Sequence, residues 1–281
     1  MPLKNPLSVK PKVPPEQESQ LALVPGAEPS TRLDPWWWLV VAVVVTAVVL
    51  ITFNSDFQSI FRFVADGLLL TIILTIVAYF ITLFVGILGG LGRTSKNRLI
   101  YGISSLYVEI VRGIPLLVQL IMWFYVLPAI IKNFGSAIHF SPMADYNANP
   151  ILMAILGLVF CYGAYMSEIF RAGIQSVPKG QMEAARSLGM SYLQAMRHIV
   201  LPQAFRIVTP PVGNEFISLL KDTSLVSALS VDDLTRRGRE YASNHFSPIE
   251  TYTLIALLYL VMTLVSARLV AWLEKRARVE R

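Results

Sequence analysis

Residues 176–205 read SVPKGQMEAARSLGMSYLQAMRHIVLPQAF and separate two long apolar runs. The first half has good helix formers, and Gly189 is expected to end that helix. Ser191 is placed to cap a second short helix, which Pro202 is expected to stop. This stretch therefore predicts two short helices joined at a glycine. Such helices are marginal alone, and docking in a groove of a partner would stabilise them.

The sequence on both sides of this stretch is that of a membrane protein. The chain has 281 residues, of which 54% are hydrophobic and only 15% are charged, whereas soluble domains average about a quarter charged. A bilayer core needs about 20 apolar residues as helix, and only helices or closed barrels satisfy the backbone in lipid. The sequence predicts an all-α membrane protein with about six transmembrane helices. They are residues 36–53, 64–91, 101–131, 150–170, 206–231 and 251–273.

The two ends of the chain differ from the apolar centre. Residues 1–35 are rich in proline and predict a disordered tail, while residues 274–281 form a short charged tail. With both tails in the cytoplasm, most of the 24 Lys and Arg residues fall on the cytoplasmic side, as the positive-inside rule requires. The basic cluster at residues 236–239 violates this rule.

Several kinds of chemistry are absent from the sequence. The motifs G-x-x-x-x-G-K-[ST], H-E-x-x-H and G-x-S-x-G do not occur, so the chain offers no nucleotide loop, zinc motif or nucleophile elbow. One Cys and three scattered His give no basis for a metal site. The basic residues are dispersed, which argues against nucleic-acid binding. If the chain works as a pump, its energy must therefore come from another chain or from an ion gradient.

The spacing in the central stretch resembles a known family. Glu183-Ala184-Ala185 is followed at fixed intervals by Gly189, Ile199 and Leu201-Pro202, and this pattern is similar to the EAA loop of ABC importer permeases. Residues 112–119, 165–173 and 221–225 look like the polar amino-acid branch of that family. The resemblance implies the type I permease fold, with a five-helix core over residues 64–273 and one extra N-terminal helix at residues 36–53.

The resemblance also implies partners and a location. A second permease chain, identical or a paralogue, would complete the pore in the bacterial cytoplasmic membrane. A pair of ATPase subunits would hold ATP and Mg, so that this chain itself is no enzyme and carries no cofactor. An extracytoplasmic binding protein would deliver a polar amino acid. The EAA loop would be the coupling helix, and its contact residues would be Glu183, Ala184, Ala185, Arg186, Leu188 and Gly189.

Broken helices mark the expected substrate path, because transporter sites favour them. One break lies at Gly113-Ile114-Pro115 and the other at Pro210-Pro211 and Gly213. We hypothesise that polar residues near both breaks and on the second span line the path. These are Asn214, Glu215, Ser218, Gln119, Thr71 and Thr75.

The charged residues inside the spans have an alternative, structural interpretation. Arg112 would pair with Glu109, and Lys221 with Asp222 or Glu215, to lock bent helices. We assign a gating or structural role to the group as a whole. Its members are Glu109, Arg112, Pro115, Glu168, Arg171, Lys221 and Asp222.

Two further functions compete with the importer. A secondary transporter or channel that works alone keeps the spans and the broken helices, but it leaves the EAA loop unexplained. A membrane-anchored scaffold has no need of charged residues inside spans. The sequence does not choose among amino acids or between a homodimer and a heterodimer.

Overall fold

Asparagine residues begin three of the long helices. The side chains of Asn54, Asn97 and Asn149 each accept two backbone N–H groups of the following helix, which satisfies donors that a helix start leaves free. Because Asn54 caps the second helix, that helix begins nine residues before the predicted span at residue 64.

The computed structural model describes residues 35–277, and these residues are almost entirely helical. The predicted tails at residues 1–35 and 274–281 therefore lie largely outside the described residues. Twelve α-helices occur in the described range. They are α1 Pro35–Phe53, α2 Ser55–Gly92, α3 Arg98–Gly113, α4 Leu116–Ile121, α5 Leu127–Ala137, α6 Ser141–Ala144, α7 Pro150–Ser176, α8 Lys179–Ser187, α9 Tyr192–Ala195, α10 Leu201–Asp222, α11 Leu234–His245 and α12 Pro248–Ala277.

Three irregular turns join some of these helices. Met122–Val126 and Met196–Val200 are π-helical, and Thr223–Leu229 is a 3-10 helix. Residues 42–281 form one compact unit, and residues 1–41 belong to a separate one, so that α1 crosses the division.

Five helical segments of the described range are long and apolar enough to cross a membrane. They are Trp36–Phe53, Ser55–Gly92, Leu116–Ala137, Pro150–Ser176 and Pro248–Arg276. The sixth predicted span, residues 206–231, corresponds to α10 and the 3-10 helix after it. This segment does not qualify as an apolar span because Arg206, Glu215, Lys221 and Asp222 lie along it.

The prolines act differently at three places. Pro115 does interrupt the run 101–131, since α3 ends at Gly113 and α4 begins at Leu116. Pro202 was predicted to stop a helix, but it does not. It is the second residue of α10, directly after the π-helical turn Met196–Val200 that leads into this helix without a break.

The predicted break at Pro210 and Pro211 is also absent, because α10 is helical through both. Neighbouring helices approach α10 closely on either side of these prolines. A Cβ built on Gly173 of α7 would collide with Val208, and one built on Gly213 would collide with Val270 of α12. This packing supports the helix where hydrogen bonds to the proline nitrogens are missing.

Small residues hold α2 against α7. Added Cβ atoms on Gly86, Gly89 and Gly90 of α2 would collide with Met166, Ser167 or Phe170 of α7, as expected where small residues let membrane helices approach. The core beside this contact consists of fully buried apolar residues from α2, α4, α7 and α10. They include Leu74, Ala78, Leu120, Ala154, Leu158 and Leu219.

The helix α11 packs across the starts of α2 and α12, at the end of the molecule opposite residues 176–205. We call this the distal end, and the end with residues 176–205 the loop end. The three arginines that violated the charge rule lie on α11, and two of them form ion pairs. Arg236 contacts Asp232 at 2.9 Å, and Arg237 contacts Asp66 and Glu240. These ion pairs reduce the free-energy cost of placing the two arginines at the distal end.

Candidate functional site: a coupling loop and two polar chambers

The loop at residues 176–205 forms two short helices joined at a glycine. The first, α8, ends at Ser187, and Gly189 follows with φ +86°, a left-handed conformation that glycine adopts without a steric cost. Ser191 and Gln194 form a reciprocal capping box at the start of α9. The predicted hairpin is therefore present, although α9 continues through a π-helical turn into α10.

The tip of this loop exposes apolar side chains. Leu188 and Leu193 are 83% and 77% exposed, whereas Ala185 is buried beneath them. Glu183, Ala184, Arg186 and Gly189 are exposed too. Exposed leucines rimmed by polar groups are typical of a surface that meets another protein.

The base of the loop is anchored in the transmembrane part. Val177, Val200 and Ala204 form a small buried cluster, and the Lys96 ammonium lies 5.7 Å from the ring centre of Tyr192. A displacement of the loop would therefore reach α7, α10 and the connection between α2 and α3.

The break between α3 and α4 is closed by a side chain. The Gln119 amide nitrogen donates to the carbonyl oxygens of Val111 and Ile114, both at 2.8 Å; Val111 also accepts the Ile114 N–H at 3.3 Å. Gln119 is buried and lines neither of the two chambers described next. Its contacts bridge the break between the helices, and its place on the substrate path stays a prediction.

A polar chamber of about 260 Å³ lies between α4, α7 and α10. Glu215, Ser218 and Asp222 of α10 share one helix face because they are three and four residues apart. The Tyr162 hydroxyl of α7 donates to the Asp222 carboxylate at 2.7 Å. The complete lining is Leu116, Cys161, Tyr162, Tyr165, Glu215, Ser218 and Asp222.

A second, charged chamber of about 440 Å³ follows along α7 towards the loop end. Glu168 accepts from Arg93, which follows the end of α2, and from Arg171 on its own helix α7, so the pair with Arg93 ties α2 to α7. We call this the inner chamber. Its lining is Arg93, Val108, Glu109, Arg112, Gly113, Tyr165 and Glu168.

The other predicted residues fall outside both chambers. The Thr71 hydroxyl donates to the Gly67 carbonyl and accepts from the Leu234 N–H, and the Thr75 hydroxyl donates to the Thr71 carbonyl. Both threonines are buried within helix contacts and line neither chamber, and their place on the path stays a prediction. Asn214 and Lys221 are exposed on the neighbouring face of α10.

The predicted ion pairs along the helices are not formed. Arg112 stacks on the Tyr165 ring, with its guanidinium carbon 5.3 Å from the ring centre, and it makes no ion pair with Glu109 within residues 35–277. The partner of Asp222 is the Tyr162 hydroxyl, and Lys221 forms no ion pair in the same range.

Sequence reasoning missed Arg93, Tyr162 and Tyr165 as lining residues. The spacing of Glu215, Ser218 and Asp222 could have indicated the polar chamber, because it puts two carboxylates on one helix face two turns apart. Nothing comparable marks the tyrosines, because α7 is apolar and aromatic on several faces.

The membrane helices, the exposed loop tip and the polar chambers define a membrane transport subunit that works with a partner protein. Residues 82–279 match the family described as the inner membrane component of binding-protein-dependent transport systems. The chain belongs to this family and is a transmembrane permease subunit of an ABC importer, not a stand-alone transporter.

Curated relatives agree with this assignment. The arginine transport system permease protein ArgU of Corynebacterium glutamicum is 39% identical over 71% of this chain, which spans 63% of that relative's length. The L-cystine transport system permease protein TcyB of Bacillus subtilis is 38% identical over 68% of this chain and 76% of its own length. The resemblance to amino-acid ABC permeases is thereby confirmed.

Solved structures support the fold. An amino acid ABC transporter crystallised with histidines matches at a TM-score of 0.70 and 36% identity, over 79% of this chain and 97% of that one. The methionine ABC transporter MetNI in an inward-facing conformation matches at a TM-score of 0.63 and 18% identity, over 79% and 99% of the two chains. The predicted all-α type I permease fold is confirmed.

Proposed function

We propose that this chain forms the translocation path of an ATP-driven importer of polar amino acids, and that cationic amino acids are its preferred cargo. One observation carries the preference. The polar chamber is lined by two carboxylates, Glu215 and Asp222, and by the hydroxyls of Tyr162 and Ser218, whereas no Lys or Arg of the described residues lines it. ArgU, a relative at 39% identity, is named as an arginine permease.

The chemistry of the chamber suits a positively charged side chain. Ammonium and guanidinium groups need acceptors, and carboxylates make the strongest hydrogen bonds to them. A carboxylate in a low-dielectric setting is costly unless a cation is present. A cationic amino acid would relieve this cost at Glu215 and Asp222, whereas an acidic one would increase it.

The proposed complex contains further subunits. Two ATPase subunits hold ATP and Mg, and each receives the loop tip with Leu188 and Leu193. A second permease chain covers the face of α10 that carries Asn214 and Lys221, because a lysine at membrane depth is costly against lipid. An extracytoplasmic binding protein delivers the amino acid at the distal end. Both termini lie in the cytoplasm, and lipid of the bacterial inner membrane surrounds the apolar helices.

Uptake of labelled amino acids into proteoliposomes that hold the complete importer and internal ATP tests the cargo. We expect arginine uptake, and we expect Asp222→Asn and Glu215→Gln each to lower it about tenfold. Glu250→Gln, a matched change at the start of α12 outside the chamber, serves as control. Uptake of an acidic amino acid in preference to arginine, or full arginine uptake by both chamber variants, would contradict the proposal.

Co-purification from membranes in mild detergent tests the coupling role of the loop. The wild-type chain should recover a nucleotide-binding subunit with ATPase activity, and Leu188→Asp should lose it because a charge at the contact must be desolvated. Ser243→Ala at the distal end is the control. A chain that recovers no ATPase and transports on an ion gradient would overturn the proposal.

A further inference from the structure

The two polar chambers meet at a single aromatic side chain. Along α7, Tyr162 lines the polar chamber, Glu168 lines the inner chamber, and Tyr165 lines both. These residues are three apart and therefore share one face of the helix. Since α7 continues from Glu168 towards the loop end, the inner chamber lies between the polar chamber and the coupling loop.

Arg112 lies against this aromatic side chain without a carboxylate partner. Its guanidinium stacks on the Tyr165 ring at 5.3 Å, and within residues 35–277 it has no ion pair. It is nevertheless close enough to interact electrostatically with Glu215 on one side and with Glu168 on the other. Arg112 therefore lies at the boundary between the chambers, held by a cation–π contact whose partner a carboxylate can replace.

The backbone beside Arg112 is loosely packed. Arg112 is in the last turn of α3, directly before the break at Gly113 and Pro115. A Cβ on Gly113 would meet nothing within 4 Å, so neighbouring atoms do not fix this turn. The amide of Gln119 bridges the break, and the Ile114 N–H donates to the Val111 carbonyl oxygen at 3.3 Å.

We propose that the stack of Arg112 on Tyr165 is the inner gate of the polar chamber, and that Arg112 and Glu109 form a release site for the outgoing amino acid. The proposal rests on the function proposed above. The α-carboxylate of the amino acid binds the Arg112 guanidinium, and its α-ammonium binds Glu109, which lies three residues earlier and is exposed in the inner chamber.

The exchange of partners opens the gate. A carboxylate is a better partner for a guanidinium than a ring face is, because it accepts two parallel charge-assisted hydrogen bonds. When the amino acid reaches Arg112, its carboxylate displaces the ring. The unstacked Tyr165 then no longer separates the chambers. The ion pairs of Glu168 with Arg93 and Arg171 lie next to the gate and connect it to the helices that the coupling loop moves.

Efflux from proteoliposomes that hold the complete importer tests the gate. The vesicles are preloaded with labelled arginine and contain no ATP, so the wild type should retain the label. Tyr165→Ala should raise the efflux rate about tenfold. Tyr165→Phe keeps the ring face and should restore low efflux. Tyr125→Ala, an exposed tyrosine outside both chambers, controls for the loss of an aromatic ring.

A second variant tests the release site and guards against misfolding of Tyr165→Ala. Arg112→Gln should lower the maximal import rate about tenfold and leave the concentration of loaded binding protein at half-maximal rate within about twofold. Arg112→Lys keeps the charge but loses the flat stack, and we expect it to leak while it imports. A merely structural role of Arg112 would lower the amount of assembled importer instead.

The outcomes separate the gate from the importer itself. If the wild type imports arginine and Asp222→Asn does not, but Tyr165→Ala retains label as well as the wild type does and Arg112→Gln imports at the full rate, the gate is wrong and the proposed function stands. If the wild type does not import any amino acid, both proposals fall.

Discussion

The distal end and the loop end of this protein differ in how completely their helices pack. At the distal end, α11 lies on α2 and α12 over fully buried side chains such as Val64, Leu234 and Leu254, and Gly67 touches the backbone of Asp233 so closely that a Cβ would not fit. At the loop end, α2 still packs closely on α7 through Gly89 and Gly90 and is linked to it by the ion pair of Arg93 with Glu168, but the inner chamber separates α7 from α3.

This difference indicates where the molecule moves. Close packing over apolar residues allows few alternative arrangements, whereas ion pairs at a partly exposed site can exchange partners at a small cost. The loop end also carries the exposed coupling surface. We infer that ATP-driven movement enters at the loop end and turns the helices about a rigid distal end.

The largest expected effect breaks the packing at the distal end. Gly67→Ala places a Cβ 2.8 Å from the Asp233 carbonyl oxygen, which belongs to the backbone and cannot rotate away. We expect a loss of about 3–4 kcal/mol of stability, measured by thermal unfolding of the purified protein in detergent. Gly102→Ala is the matched control, because its Cβ meets nothing within 4 Å; this change should be neutral or stabilise α3. Equal melting of both variants would contradict the rigid distal end.

The second prediction concerns pH at the distal end. Asp233 is fully buried at the start of α11 and accepts the N–H groups of Thr235 and Arg236. Burial raises the pKa of Asp233 to about 6, so the folded state binds a proton that the unfolded state releases near pH 4. Proton binding to Asp233 therefore stabilises the folded state fully below about pH 4. This stabilisation is lost as the pH rises to about 6, and at higher pH Asp233 causes no further change in stability.

Asp233→Asn isolates this contribution. The amide oxygen still caps α11 but does not titrate. We expect the variant to be more stable than the wild type at pH 7, by at most about 3 kcal/mol, and the difference to shrink towards pH 4. Melting temperatures across this range measure it. A constant difference between the two proteins at all pH values would refute the assignment to Asp233.

The positions of the chambers show what sequence could and could not predict. The EAA spacing and the glycine turn predicted the two short helices that the structure forms in the loop at residues 176–205, and Pro115 predicted the break before α4. On α10 the sequence proposed Asn214, Glu215 and Ser218 for the substrate path. The structure places Glu215 and Ser218 in the polar chamber together with Asp222 and leaves Asn214 exposed on the adjacent face, because α4 and α7 approach α10 from the side of the two carboxylates. Helical spacing alone does not tell which polar face meets a neighbour.

A smaller effect is expected at the ion pairs of the loop end. Glu168→Gln leaves Arg93 and Arg171 without their shared carboxylate and should cost about 1–2 kcal/mol of stability. Its effect on ATP-driven uptake should be greater than its effect on melting, because the pair with Arg93 connects α2 to the moving α7. Asp232→Asn, which removes the exposed partner of Arg236, is the control and should change stability by less than about 0.5 kcal/mol. A loss of stability with unchanged transport would place the moving part elsewhere.

The smallest effect separates local from global stability. Ser191→Ala removes one half of the capping box at α9, which is worth about 1 kcal/mol locally. Because the loop tip is exposed and thinly packed, we expect it to open on its own. Amide hydrogen exchange in residues 188–197 should then accelerate about fivefold, while the global melting temperature stays unchanged. Ser243→Ala on the exposed face of α11 should alter neither quantity. If Ser191→Ala lowered the melting temperature of the whole protein, the coupling loop would be part of the rigid body, and the contrast between the two ends would lose its basis.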